Sequence, residues 1–143
     1  MLDIGASNAP ADLVALAHRQ LEAVNRQDLD AFMSIYAPDV VYDTSEHGLG
    51  VYEGTEAMRG LIKAYWDAFE DLTFELEELL DLGNGITFHV VHQRARPVGS
   101  AGYVENHEAH VSEWGDGKVL RVTVYLDIDK GRTEAERIAR ERD

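Results

Sequence analysis

The chain has 143 residues and a net charge of −14, from 13 Lys and Arg against 27 Asp and Glu. That length suits one domain, and a 45% hydrophobic content supplies a core for it. The charge argues against a nucleic-acid-coating surface and against docking on an anionic membrane, both of which need clustered basic residues, and the absence of Cys excludes disulfides, thiolate metal sites and a Cys nucleophile.

Residues 1–10 read as an N-terminal extension, without the basic start and continuous apolar stretch of a signal peptide. Residues 11–26 are predicted as a helix, because Leu13, Leu16, Ala17, Leu21 and Val24 keep helical spacing while Arg19, Glu22 and Arg26 fall off that stripe. Asp28 is placed to cap a second, short helix with Leu29, Phe32, Met33 and Tyr36 as its apolar face, which Pro38 ends. Val40–Asp43 reads as a short strand and Thr44–Gly54, with Gly48, Gly50 and Gly54, as a loop. A third helix is predicted from about Glu56 to Phe69, with Met58, Leu61, Ile62, Tyr65, Trp66 and Phe69 on one face and Thr55 as N-cap candidate.

From Leu72 the period changes to two. Leu72, Phe74 and Leu76 alternate with Thr73, Glu75 and Glu77, and the slip at Glu77-Glu78 predicts a bulge. Asn84-Gly85 is the preferred pair for a type I′ hairpin. Strands follow over residues 86–96, 103–114 and 119–128, joined by turns at 97–102 and 115–117. Thr133 and Glu136 have capping-box spacing, so the end of the chain can be helical, but with almost no apolar face it is expected to be exposed or frayed. From Asp129 to Asp143 there are five basic and five acidic residues, so residues 1–128 hold the whole net charge. The expected organisation is one domain over 1–128 and a charged, helical tail over 129–143. No run approaches the ~20 apolar residues of a membrane span. Without Cys, a reducing, cytoplasmic setting is expected.

Helices segregated ahead of a hairpin-linked meander mean an α+β fold. The expected architecture is a curved antiparallel four-stranded meander plus a short strand, with three N-terminal helices covering its concave face: a cone with an interior.

Five short motifs occur in order. Ala23-Val24-Asn25-Arg26-Gln27-Asp28-Leu29-Asp30 breaks the first helix, and Tyr36-Ala37-Pro38-Asp39-Val40 enters the first strand. Tyr52-Glu53-Gly54-Thr55-Glu56-Ala57-Met58 opens the third helix, and Asp116-Gly117-Lys118-Val119 and Tyr125-Leu126-Asp127 bound the last strand. Over residues 11–128 this order resembles the nuclear-transport-factor-2-like superfamily, specifically its SnoaL-like branch. The resemblance implies a cone-shaped pocket and a homodimer through the outer sheet face. It does not fix an activity, because the fold hosts many. The positions of a ketosteroid isomerase site correspond to Thr44, Gln20 and Ala109, and those of a limonene-epoxide hydrolase site to His107, Ala109 and Val124, so neither constellation is present.

In the isomerase-like register Tyr42 and Thr44 point inward on the first strand, Glu105, His107, Ala109 and Val111 on the penultimate strand, and Val122, Val124 and Leu126 on the last. Glu105 and His107 then bring titratable groups into the cone, with His92 or His89 from the neighbouring strand. A Glu–His pair at this spacing sits ~6–7 Å apart, close enough to address one ligand. His107 is the candidate base, Glu105 its partner and Tyr42 a donor to a developing oxyanion, while Thr44, Trp66, His92, Val122, Val124 and Leu126 are candidate ligand contacts. His47 reads as a solvated loop histidine, and Asp127 as a local cap. His107 and His110 face opposite sides of a strand, and Glu108-Ala109-His110 lacks the helical HExxH spacing, so no metal site is expected. The expected function is binding of a small hydrophobic or neutral molecule in an apolar cavity, with cofactor-free isomerase, cyclase, dehydratase or hydrolase chemistry, or binding without catalysis. A protein-interaction adaptor is the remaining alternative.

Overall fold

The structure, a computed structural model, describes residues 13–142; the extension expected over residues 1–10 lies outside them. Helix α1 (Leu13–Arg26) ends where Gln27 takes a φ of 58°. The Gln27 amide then bonds the Val24 carbonyl at 2.9 Å and the Asp28 amide reaches the Ala23 carbonyl at 2.8 Å. This pair of bonds closes the last turn of α1. The Asp28 side chain accepts from the Ala31 amide at 3.1 Å and so caps α2 (Leu29–Met33), as its position predicts. Asn25 accepts from the Phe74 amide at 3.0 Å and thereby ties α1 to the sheet.

Strand β1 (Tyr36–Asp43) begins earlier than predicted, so Tyr36 belongs to it and not to the preceding helix. Pro38 sits between Tyr36 and Val41, where the ladder register shifts and no amide is needed from it. The predicted loop contains a further strand, β2 (Val51–Glu53), antiparallel to β1. Helix α3 (Thr55–Asp67) has Gly54, not Thr55, as its N-cap. Strands β3 (Phe69–Gly83), β4 (Ile86–Pro97), β5 (Val104–Gly115) and β6 (Lys118–Tyr125) form the expected antiparallel meander. The whole sheet has six strands in the order β2-β1-β6-β5-β4-β3, with β1 parallel to β6. The β3–β4 register shifts between Leu76 and Glu78, which is the predicted bulge. At the β3–β4 turn, Asn84 and Gly85 have φ of 55° and 77°, the two positive values that a type I′ turn requires.

Two cores form on opposite faces of this sheet. On the concave side, α1 to α3 pack Val24, Met33, Met58, Ile62 and Trp66 against Val40, Leu72, Val119, Val122 and Val124. On the outer side, Ile86, Phe88, Val90, Ala109, Val111 and Tyr125 are buried beneath helix α4 (Ile128–Glu141). Asp127 caps α4, accepting from the Lys130 amide at 3.1 Å.

The closing helix is therefore neither exposed nor frayed. Its buried stripe is Gly131, Ala135 and Ala139, flanked by Ile128 and Ile138. Small residues give a weak apolar signal in sequence, yet they let a helix approach a sheet closely. A Cβ at Gly131 would lie 3.1 Å from both the Ala109 Cβ and the Tyr125 ring. Arg132 grips Glu78 with two bonds of 2.5 and 2.8 Å, and Asn84 donates to the Ala139 carbonyl at 2.8 Å. The part of the outer face that α4 covers is thereby occupied within one chain, and a homodimer through that face has only the remainder available. No helix among the described residues is long and apolar enough to cross a membrane.

Ala135 is fully buried. Ala135→Asp is expected to place an unpaired charge under α4 and lower stability by about 2–4 kcal/mol. Exposed Glu136→Ala should change it by less than about 0.5 kcal/mol. Urea denaturation followed by tryptophan fluorescence checks both values.

Candidate functional site

The concave core is not filled. Between the sheet and helices α1 to α3 lies a cavity of about 140 Å³, walled chiefly by apolar and aromatic side chains such as Leu16, Phe32, Tyr36, Trp66, Val122 and Val124. A dry apolar cavity of about 150 Å³ accepts a benzene-sized group.

Gln20, Tyr42 and Tyr65 line this cavity from α1, β1 and α3, and three further elements reach into it. Strand β5 sends in Glu108, His110, Ser112 and Trp114, and β4 sends in Thr87, His89, Val91 and Gln93. These sets lie opposite one another in the ladder, with His89 facing His110 and Val91 facing Glu108. The third element is the 3₁₀ turn Ser45–His47. Thr44 anchors that turn by donating its hydroxyl to the Gly50 carbonyl at 2.6 Å and accepting the His47 amide at 2.9 Å. Gly48, at a φ of 80°, turns the chain back, a conformation that favours glycine.

His47 is thus directed at the sheet. Its Nε2 lies 3.1 Å from Glu108 Oε2, while His110 Nε2 lies 3.3 Å from Glu108 Oε1. Both carboxylate oxygens are engaged, with the Glu108 side chain only 9% exposed. The His89 ring stacks on His110 at 4.7 Å. Gln93 donates to the Tyr65 hydroxyl, and its Oε1 is buried without a partner.

Burial alone would raise the Glu108 pKa. The hydrogen bonds and charges of His110 and His47 outweigh it and hold the carboxyl at about 2. The bond to Glu108 in turn raises His47 above its ordinary 6.5, against the opposing effect of burial. His89 is pushed down to about 3, first by burial and then by the neighbouring His110. Burial, reinforced by the Glu108 charge, raises Tyr42 well above the usual phenol range, so its hydroxyl stays protonated.

Tyr42, Thr44, Trp66, Val122 and Val124 line the cavity. Glu105 and His107 do not, because β5 runs in the opposite parity from the one expected, and of the two β4 histidines it is His89, not His92, that points inward. Glu105 and His107 are exposed on the outer face, and the half-buried His92 lies on that face too, bonding Glu105 at 2.7 Å. Leu126 is also exposed, since β6 ends at Tyr125 and the chain turns there towards the α4 cap. Glu108, His110 and His89 take the inward places. Asp43, which alternates with Tyr42 and Thr44, bonds Arg121 at 2.6 Å. The signal that would have found the inward set is its polarity: on β5 the more apolar parity, Ala109 and Val111, belongs under α4.

The family model of the SnoaL-like domain matches residues 17–134. No curated protein matches the sequence. Among solved structures, the chain is similar to an NTF2-like protein from Burkholderia pseudomallei at a TM-score of 0.68 and 18% identity, with 82% of this chain and 92% of that one covered. It is similar to a protein with a ketosteroid isomerase-like fold from Catenulispora acidiphila, solved with trimethylamine, at 0.68 and 13% identity, covering 82% and 85%. A Mycobacterium tuberculosis protein solved with estradiol-17beta-hemisuccinate matches at 0.66 and 18%, covering 81% and 94%. At these identities the likeness is one of fold. With the family match spanning most of the chain, and a fold like that of an NTF2-like protein around a cavity, the protein belongs to the SnoaL-like domain family.

Proposed function

We propose that the chain binds a small, largely apolar molecule bearing a carbonyl or hydroxyl group, and that His47 exchanges a proton with it in cofactor-free acid–base chemistry. The observation that carries this reading is a buried carboxylate, Glu108, held ionised between two histidines in an otherwise apolar cavity. Such perturbed groups in a cleft are the usual mark of a functional site.

The roles follow from the proton affinities. Glu108, at about 2, takes up no proton near neutrality, so it is a fixed negative charge that orients both imidazoles and favours the charged form of His47. Glu108 raises the proton affinity of His47, which suits it to serve as general acid, then as base once it has given its proton up. Tyr42 stays protonated and donates to an oxygen that gains charge. Gln93, with its free Oε1, gives the ligand a second polar anchor, while Thr44, Trp66, Val122 and Val124 supply shape and apolar contact. Isomerisation, cyclisation, dehydration and hydrolysis all need this proton traffic. The neighbour solved with a steroid ester supports a ligand of that apolar kind. Binding without turnover is the second reading, favoured by the absence of both the isomerase and the epoxide-hydrolase constellations.

A panel of small aromatic and cyclic ketones, followed by tryptophan fluorescence and by product analysis, tests the reading. A hit is expected to be turned over by the wild-type chain, with His47→Ala lowering kcat about 100-fold or more and changing affinity far less. Turnover should fall as pH rises through the raised pKa of His47, above 6.5. A ligand recovered unchanged supports the carrier reading, and full turnover by His47→Ala rejects the role of His47. Val124→Trp should fill the cavity and abolish binding in either case.

The same groups predict acid sensitivity. Unfolded His89 takes a proton at its ordinary 6.5 and the buried ring only at about 3, so stability is lost as pH falls between those values. Glu108 adds a loss between its ordinary 4.5 and about 2. The raised His47 acts oppositely, adding stability below 6.5 that is lost as pH climbs through its folded pKa. Urea midpoints measured across this range should therefore fall on acidification, and His89→Gln should flatten the part of the loss above 4.5.

A further inference from the structure

The outer face of the sheet carries a second cluster, independent of the cavity. Glu77 on β3, His92 on β4 and His107 on β5 each offer one donor atom, and these atoms all lie within 4.8 Å of one another. His92 and His107 are direct cross-strand partners, with rings stacked at 4.7 Å. His107 Nε2 is 3.3 Å from Glu77 Oε2, and His92 Nε2 is 2.7 Å from Glu105 Oε1. We propose that Glu77, His92 and His107 bind a divalent ion of the zinc class on the outer sheet face, with water completing its shell, and so brace β3, β4 and β5.

Donor chemistry selects the class of ion. Two imidazoles with a carboxylate suit Zn²⁺ and its transition-metal neighbours, whereas Ca²⁺ and Mg²⁺ demand six or more oxygens. The spacing is within reach. Tetrahedral zinc with bonds of about 2.0–2.1 Å holds its ligand atoms about 3.3 Å apart, so the cluster must contract by about 1.5 Å at most. The side chains have room for this, with His92 24% exposed, His107 52% and Glu77 41%. Their present contacts are His–carboxylate bonds, and a cation between the groups would satisfy the same partners.

The backbone explains why the cluster exists. Glu77 is the residue left out of the ladder at the β3 bulge, and a bulge re-aims a side chain. Cross-strand pairing places the two imidazoles side by side. The local charge is favourable, because Glu75 lies opposite His92 on β3 and the chain carries −14 overall. Arg94 is the basic neighbour, opposite Glu105 in the ladder, but its guanidinium sits over the Tyr103 ring at 3.7 Å.

Calorimetric titration of ZnCl₂ into the untagged full chain, stripped with EDTA, tests the site. One ion per chain and a raised thermal midpoint are expected. Glu77→Gln should weaken binding about tenfold. The double variant His92→Ala, His107→Ala should remove it, and circular dichroism will show that these exposed changes leave the fold intact. His47→Ala should bind as the wild type does. No saturable uptake, unchanged uptake by the double variant, or loss with His47→Ala instead would each overturn the proposal, the last by moving the ion into the cavity.

Discussion

The Glu108 carboxylate is the constraint on which the concave side of the molecule depends. Taking an ionised carboxylate out of water is unfavourable by several kcal/mol unless its oxygens are partnered. Here both are, one by His47 from the 3₁₀ turn after β1 and one by His110 from its own strand. To supply the first partner, the chain between β1 and β2 must fold back over the cavity, and the Thr44 bonds and the left-handed Gly48 are the means. The cavity wall and its polar floor are therefore coupled. A change that frees His47 leaves a buried charge half satisfied.

That coupling gives the site its chemical asymmetry. Groups in one small cavity have proton affinities pushed far apart: Glu108 down to about 2, His89 down to about 3, and His47 and Tyr42 upward. Burial acts on all four: it sets the direction for His89 and Tyr42, while the Glu108–His contacts overturn it for Glu108 and His47. A site with one fixed anion, one imidazole poised above 6.5 and one phenol that stays neutral has the parts needed for proton transfer without a cofactor.

Helix α4 changes what the other face can do. In a sheet with one wet face, the apolar parity of each strand points to the core. This sheet has two dry regions, and the outer one exists because Gly131, Ala135 and Ala139 let α4 sit close upon it. The outer face beyond α4 is then left polar, with the His92, His107 and Glu77 cluster on it.

Much of the architecture was legible along the chain. The helical stripes of α1 and α3, the cap at Asp28, the bulge at Glu77 and the Asn84-Gly85 turn are local features, set by side-chain spacing and by the φ angles that individual residues tolerate. The family motifs are local too. The parity of β5 is not. The isomerase-like register puts Glu105, His107, Ala109 and Val111 inward on β5, and the assignment inverts once α4 covers one face and a ligand-sized cavity occupies the other. A slip of one residue moves every side chain to the opposite face, so this single non-local fact transfers the candidate site from Glu105 and His107 to Glu108, His110 and His47. The sequence by itself thus determined most of the elements, their order and the acidic, cysteine-free composition, but not the short β2 or the packed α4. The tertiary structure alone decided which polar residues meet, because that depends on what packs against each face of the sheet and on a loop closing from a distant part of the chain.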